Sequence, residues 1–158
     1  MRTHARADRD ISVGCQFDKA TFSESVSTVL CRYTGELHCE ATHRSSSASL
    51  STDAPVDNAG RGEQFSPTDL IGTALATCML TIMGITAKSR GWSIKGATAN
   101  VDKRMTKDGP RRIESLRVLL TLPPSIKDEQ RTVLQRVAAQ CPVKRSLDPR
   151  IDLELIWQ

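Results

Sequence analysis

The residues best able to carry chemistry in this chain are cysteines. There are five, at positions 15, 31, 39, 78 and 141, with no CxxC pair and no Cys/His spacing suited to zinc. The first thirty residues lack an apolar secretory segment. Reduced thiols in a cytoplasmic setting are therefore expected, with any disulfide transient or catalytic. Cys141 precedes Pro142 and lies close to Lys144 and Arg145. If it caps a following helical turn, amide dipoles and cations lower its pKa, as suits a reactive or resolving thiol. The bland alternative is an accessible cysteine with no role. Cys78 stands midway along an apolar run with no adjacent histidine. By position alone it is a small core hydrophobe, inert unless a cation is brought to it from elsewhere. Cys31 and Cys39 fall at alternating strand positions and are expected to face a core. Cys15 is incidental. His38 and His43 lie on opposite faces of a strand and do not make a metal pair. No Ser/His/Asp order, phosphate-binding loop or acidic metal cluster is visible.

The element that must position Cys78 begins at Ser66-Pro67-Thr68-Asp69 and runs through Leu70 to Ala87. Ser66 is a good N-cap, Pro67 suits the first helical position, and Asp69 completes a capping box. Lys88 and Arg90 suit the negative end, and Gly91 the residue beyond it. Leu70, Ala74, Cys78 and Ile82 share one face, and Leu75, Met79 and Met83 carry the apolar surface round the axis. Such a helix is buried. Its length reaches the lower bound for a membrane span, but its threonines and glycines make it weakly hydrophobic and no aromatic belt flanks it. A core helix of a water-soluble domain or dimer is the better reading.

The other elements follow from period and punctuation. Residues 1–26 are polar and aperiodic, a tail ahead of a single domain at 27–158. Alternation from Ser27 to Tyr33, from Leu37 to Thr42 and over about Ser47 to Thr52 predicts an antiparallel meander turned at Gly35. Residues 53–65 are dense in turn formers. Trp92 to about Lys107 and Arg111 to Leu122 make a hairpin around Asp108-Gly109-Pro110. Ser125, with Asp128 as box partner, caps a second helix that ends near Gln140 because Pro142 follows. Pro142 opens a short turn, and Ile151 to Trp157 is a last strand. The order β-β-β-α-β-β-α-β is that of an α+β fold. One sheet face and one shorter helix cannot cover so wide an apolar helix, so an obligate homodimer is expected.

Composition excludes some partners. Net charge is a modest +4, aromatics are 4%, and no basic run is long enough for a nucleic-acid tail.

Taken together, the meander, the Ser-Pro-Thr-Asp-Leu helix with Ala-Thr-Cys-Met at mid-length, the hairpin, and the second helix ending in Cys-Pro-Val-Lys-Arg-Ser-Leu resemble the OsmC/Ohr family. These are thiol-dependent peroxidases: osmotically inducible protein C and the organic hydroperoxide resistance proteins. The resemblance runs from about Val29 to Trp157, and the Ser-Pro-Thr-Asp form is closer to the OsmC-like branch. It implies an intertwined homodimer with the central helices packed together and the sites at the interface. It implies that Cys78 is the peroxidatic cysteine and Cys141 the resolving one, that the substrate is an organic hydroperoxide, and that an external dithiol, often lipoyl-type, is the reductant, with no resident cofactor or metal. The family activates its cysteine with an arginine held by a glutamate. Arg44 falls near the arginine position; Thr68 occupies that of the glutamate, leaving Asp69 or Glu63 to hold Arg44. The alternative is a catalytically weak OsmC-like dimer that binds an apolar ligand in the interface cleft.

Overall fold

The computed structural model describes residues 27–158. The expected tail, 1–26, and Cys15 within it lie outside the described residues. Strands β1 (Val29–Gly35), β2 (His38–His43) and β3 (Ser49–Asp53) form an antiparallel sheet in that order. Gly35, at φ 103°, turns the chain as expected. The third strand starts later than the sequence suggests, because Ser47 sits at φ 58° in the β2–β3 turn.

The segment after β3 folds back on it. The amide of Asp53 donates to the carbonyl of Phe65 at 3.2 Å. The Asp53 carboxylate, through Oδ2, accepts from the amides of Arg61 at 3.1 Å and Glu63 at 3.0 Å. The ends of the loop therefore meet where helix α1 (Pro67–Ser89) begins.

That helix has the boundaries its sequence predicts. Ser66 Oγ accepts from the amide of Asp69 at 3.1 Å, and Asp69 Oδ2 accepts from that of Ser66 at 2.8 Å. At the far end Gly91 takes φ 71°, and the amide of Trp92 donates to the carbonyl of Ala87 at 2.8 Å. Residues 92–97 are a loop with a turn at Lys95-Gly96 rather than the start of a strand.

The second sheet holds β4 (Thr98–Met105), β5 (Ile113–Thr121) and β6 (Asp152–Trp157), with β5 central, antiparallel to β4 and parallel to β6. Helices α2 (Asp128–Ala138) and α3 (Pro142–Ser146) connect β5 to β6. Ser125 is not the cap of α2. The amide of Ile126 bonds the carbonyl of Pro123, so residues 123–126 close a turn of their own and Ile126 is buried. Lys127 is the N-cap residue, its amide donating to Gln130 Oε1 at 2.9 Å.

The core lies between this sheet and the helices. Leu75, Met79 and Met83 of α1, Leu116, Val118 and Leu120 of β5, and Leu134 and Ala138 of α2 are fully buried. Gly72 lets α1 close on β4, since a Cβ there would stand 3.1 Å from Val101 Cγ1.

Only one side of α1 is covered this way. By length and composition it could cross a membrane, but its buried side is the core of the domain. Its other side leaves Ile71, Ala74, Thr77, Thr81 and Ile85 exposed. Thr73 and Thr77 donate their hydroxyls to the carbonyls of Asp69 and Thr73, so this polarity is used within the helix. The first sheet is barer still. Val29, Leu30, Tyr33 and Leu50 are exposed, and among the described residues no helix or strand outside it packs extensively on it, though Thr52 and Asp53 at its end are buried. Cys31, expected to face a core, is exposed, and Cys39 is only half-buried. The strand period was legible, but among the described residues no layer lies where that sheet could face it.

Candidate active site

Cys78 and Cys141, 63 positions apart in sequence (141 − 78), are neighbours in space. Cys78 sits on the flank of α1 between its buried and exposed sides, half-buried against the core cluster that contains Cys141. Cys141 is delivered by the stop between α2 and α3. Its amide donates to the carbonyl of Ala138 at 3.1 Å, closing α2, and its carbonyl accepts from the amide of Arg145 at 3.1 Å, opening α3. Pro142 fixes the change of direction. The side chain is left facing α1 and is fully buried.

This burial decides the electrostatics. Desolvation pushes the Cys141 thiol above the ordinary value, and the neighbouring Cys78 thiol pushes it further. The backbone amides of Lys144 and Val143 pull it down, as a helix N-terminus should, but do not prevail. The expected lowering is therefore reversed. The helix following Cys141 has only five residues, and Cys141 is not the accessible cysteine of the bland alternative.

The charged candidates do not join the thiols within one chain. Arg44 follows β2, where its amide donates to the carbonyl of Thr28 at 3.0 Å. Among the described residues its side chain forms no ion pair with Asp69 or Glu63. Both acids have other partners. Asp69 caps α1 and pairs with Lys103 Nζ at 2.5 Å, and Glu63 lies 3.5 Å from His38 Nε2. Thr68, at the expected glutamate position, accepts from Lys103 Nζ at 2.8 Å and bonds Ser66 Oγ at 3.0 Å. Burial pushes the Asp69 carboxyl up, but hydrogen bonds from Lys103 and Ser66 outweigh it and hold the carboxyl below the usual range.

Lys103 went unnoticed in the sequence, yet a signal was there. It shares the half-buried face of β4 with Ala99, Val101 and Met105, and a lysine on an inward face needs an acid. The group formed by His38, Asp53 and Glu63 was also missed. His38 and His43 do go to different partners: His43 bonds Ser27 and Ser46.

The site thus brings together two free thiols, one half-buried and one buried. The comparisons bear on the fold and the family. A family model described as OsmC-like protein matches residues 60–156. A Psychrobacter arcticus protein named for an osmotic stress induced and detoxification response is 40% identical, with TM-score 0.79, over 87% of this chain and 99% of its own. The organic hydroperoxide resistance protein OhrB of Bacillus subtilis shares the fold at 18% identity and TM-score 0.64, over 84% of this chain and 98% of its own. An organic hydroperoxide resistance protein OsmC from Legionella pneumophila does so at 14% identity and TM-score 0.66, over 87% of this chain and 99% of its own. No curated protein matches the chain. With more than half of its length matched by the family model and a relative at 40% identity across nearly the whole domain, this chain belongs to the OsmC family.

Proposed function

We propose that the protein is a thiol-dependent peroxidase that reduces organic hydroperoxides in oxidative stress defence, with Cys78 peroxidatic and Cys141 resolving. The observation that carries this reading is the pairing of the two thiols, one half-buried and one buried, between α1 and the start of α3. The Cys78 thiolate attacks the distal oxygen of ROOH. The O–O bond breaks, the alkoxide leaves and takes a proton as ROH, and Cys78 becomes a sulfenic acid. The sulfur of Cys141 then attacks that of Cys78, hydroxide leaves with the Cys141 proton as water, and a disulfide forms. An external dithiol, of lipoyl type, restores both thiols and is itself oxidised to a disulfide. The electron pair gained by the peroxide is the one the dithiol gives up, so the cycle requires no resident cofactor.

The reading includes a homodimer. The exposed apolar side of α1 and the uncovered first sheet support it, and a symmetric pairing buries both. In such a dimer Arg44 is the cation proposed to approach Cys78 across the interface; among the described residues of one chain it forms no ion pair. A cycle that starts from reduced thiols suits the cytoplasm.

One feature favours a second reading, a dimer of weak turnover that holds an apolar ligand. A cleft of about 450 Å³ runs between α1 and β4, with Phe65, Ala76, Leu80 and Val101 as apolar lining and Asp69 and Lys103 as its charged residues. Dithiol-dependent reduction of cumene hydroperoxide, wild type beside Cys78→Ser, separates the two. Turnover by the wild type alone is expected. Equal rates, or none from either, overturn the peroxidase and leave the binding dimer.

A further inference from the structure

Away from the thiols, three side chains converge: His38 at the start of β2, Asp53 at the end of β3, and Glu63 in the loop before α1. Sheet register makes His38 and Asp53 cross-strand partners. The loop returns Glu63 to the same point, because its amide and that of Arg61 bind Asp53 Oδ2. His38 Nε2 lies 3.7 Å from Asp53 Oδ1 and 3.5 Å from Glu63 Oε2.

Two observations call for a cation there. The Asp53 side chain is fully buried, and its Oδ1 has no hydrogen-bond partner. A buried carboxylate oxygen left bare is costly, while Oδ2, held by two amides, fixes Oδ1 towards His38. The second observation concerns the ring. His38 Nδ1 is 2.8 Å from the backbone carbonyl oxygen of Glu36, an atom that can only accept, so Nδ1 carries the proton. In the neutral imidazole the Nε2 lone pair then faces two carboxylate oxygens. Three electron-rich atoms meet, and positive charge belongs among them. A proton on Nε2 serves poorly, since 3.5 and 3.7 Å exceed good N–H···O distances. They are close to the roughly 3.3–3.5 Å that separates neighbouring ligands held about 2.0–2.1 Å from a tetrahedral ion. An Nδ1–H bonded to a carbonyl is also the contact that orients metal-bound imidazoles.

We infer that His38 Nε2, Asp53 Oδ1 and Glu63 Oε2 form a site for a divalent transition-metal ion of zinc type, pinning the loop at residues 54–65 to the first sheet ahead of α1. One imidazole with two carboxylates suits Zn²⁺ better than Ca²⁺ or Mg²⁺, which prefer all-oxygen shells. Three protein ligands leave a fourth position for water. The ion ties β2, β3 and the loop together and stabilises the folded chain by mass action.

The test titrates Zn²⁺ into the reduced, chelator-treated full chain, wild type beside His38→Gln and Glu63→Gln. Competition with a chromophoric chelator reads affinity, and X-ray absorption reads the ligands. The wild type is expected to take one ion per chain, bound by nitrogen and oxygen with an imidazole and no sulfur, and to melt higher with Zn²⁺. Glu63→Gln should bind at least about 10–100-fold more weakly, since even loss of an outer-sphere partner costs that much, and His38→Gln should not bind detectably. The Glu63 side chain is 55% exposed, so its amide replacement keeps the fold and the comparison holds. Sulfur ligation, equal binding by both variants, or no binding by folded wild type overturns the site.

Discussion

Burial, more than neighbouring charge, sets the behaviour of Cys141. Its thiol is fully buried and pushed above the ordinary value by desolvation and by Cys78. It therefore stays protonated through neutral pH and ionises only above the usual thiol range, near 8.5. Iodoacetamide is expected to label Cys78, which is half-buried, ahead of Cys141, and Cys141 labelling should rise only at more alkaline pH; peptide mass spectrometry over a pH series reads both. Faster labelling of Cys141 at neutral pH would contradict this assignment. Both cysteines could be picked out from the sequence, but the sign of this shift could not. The sequence displays Lys144 and Arg145 beside Cys141 and conceals the core that closes over it. The grouping of His38 with Asp53 was hidden for a similar reason, since it depends on strand register.

Helix α1 shows what local chemistry can fix. Its cap, first-position proline and terminal glycine all lie within a few residues of the ends they define, and each is found where the sequence puts it. The start of α2 was misjudged because Ser125 is drawn into a turn by Pro123, a competing local choice. Asp69→Asn removes half of the capping box and is expected to cost about 1 kcal/mol in chemical denaturation. A larger cost is not expected, because the carboxylate is 41% exposed and its pairing with Lys103 is screened. The sign with pH follows from the lowered carboxyl pKa. The contribution is present above the unfolded carboxyl value, near 3.9, and is lost as pH falls through the acid range. Asp69→Asn should therefore flatten the acid limb of the stability profile. At Gly72, replacement by valine drives side-chain atoms into Val101 and should destabilise by about 1–3 kcal/mol, the usual cost of overpacking.

At the scale of the whole molecule, the uncovered surfaces dominate. An apolar helix side and a sheet that no other layer covers among the described residues are what the proposed homodimer would bury, and the girth of α1 is the feature of the sequence that leads to the same expectation. Sedimentation of the reduced protein is expected to give a dimer, and Ile85→Asp, on the exposed side of α1, to shift it towards monomer. A wild-type monomer would contradict the interface. Strand alternation does not reveal what covers the first sheet, so the sequence points Cys31 and Cys39 towards a core that the described residues do not provide. The central claim is that Cys78 and Cys141 act as one redox pair. Treatment of the reduced protein with one equivalent of cumene hydroperoxide, followed by acid quenching and peptide mapping, tests it most directly. A Cys78–Cys141 disulfide is expected in wild type and, in Cys141→Ser, a Cys78 sulfenic acid trapped by dimedone. Peroxide that leaves both thiols reduced, or oxidises Cys31 or Cys39 while sparing this pair, would contradict it.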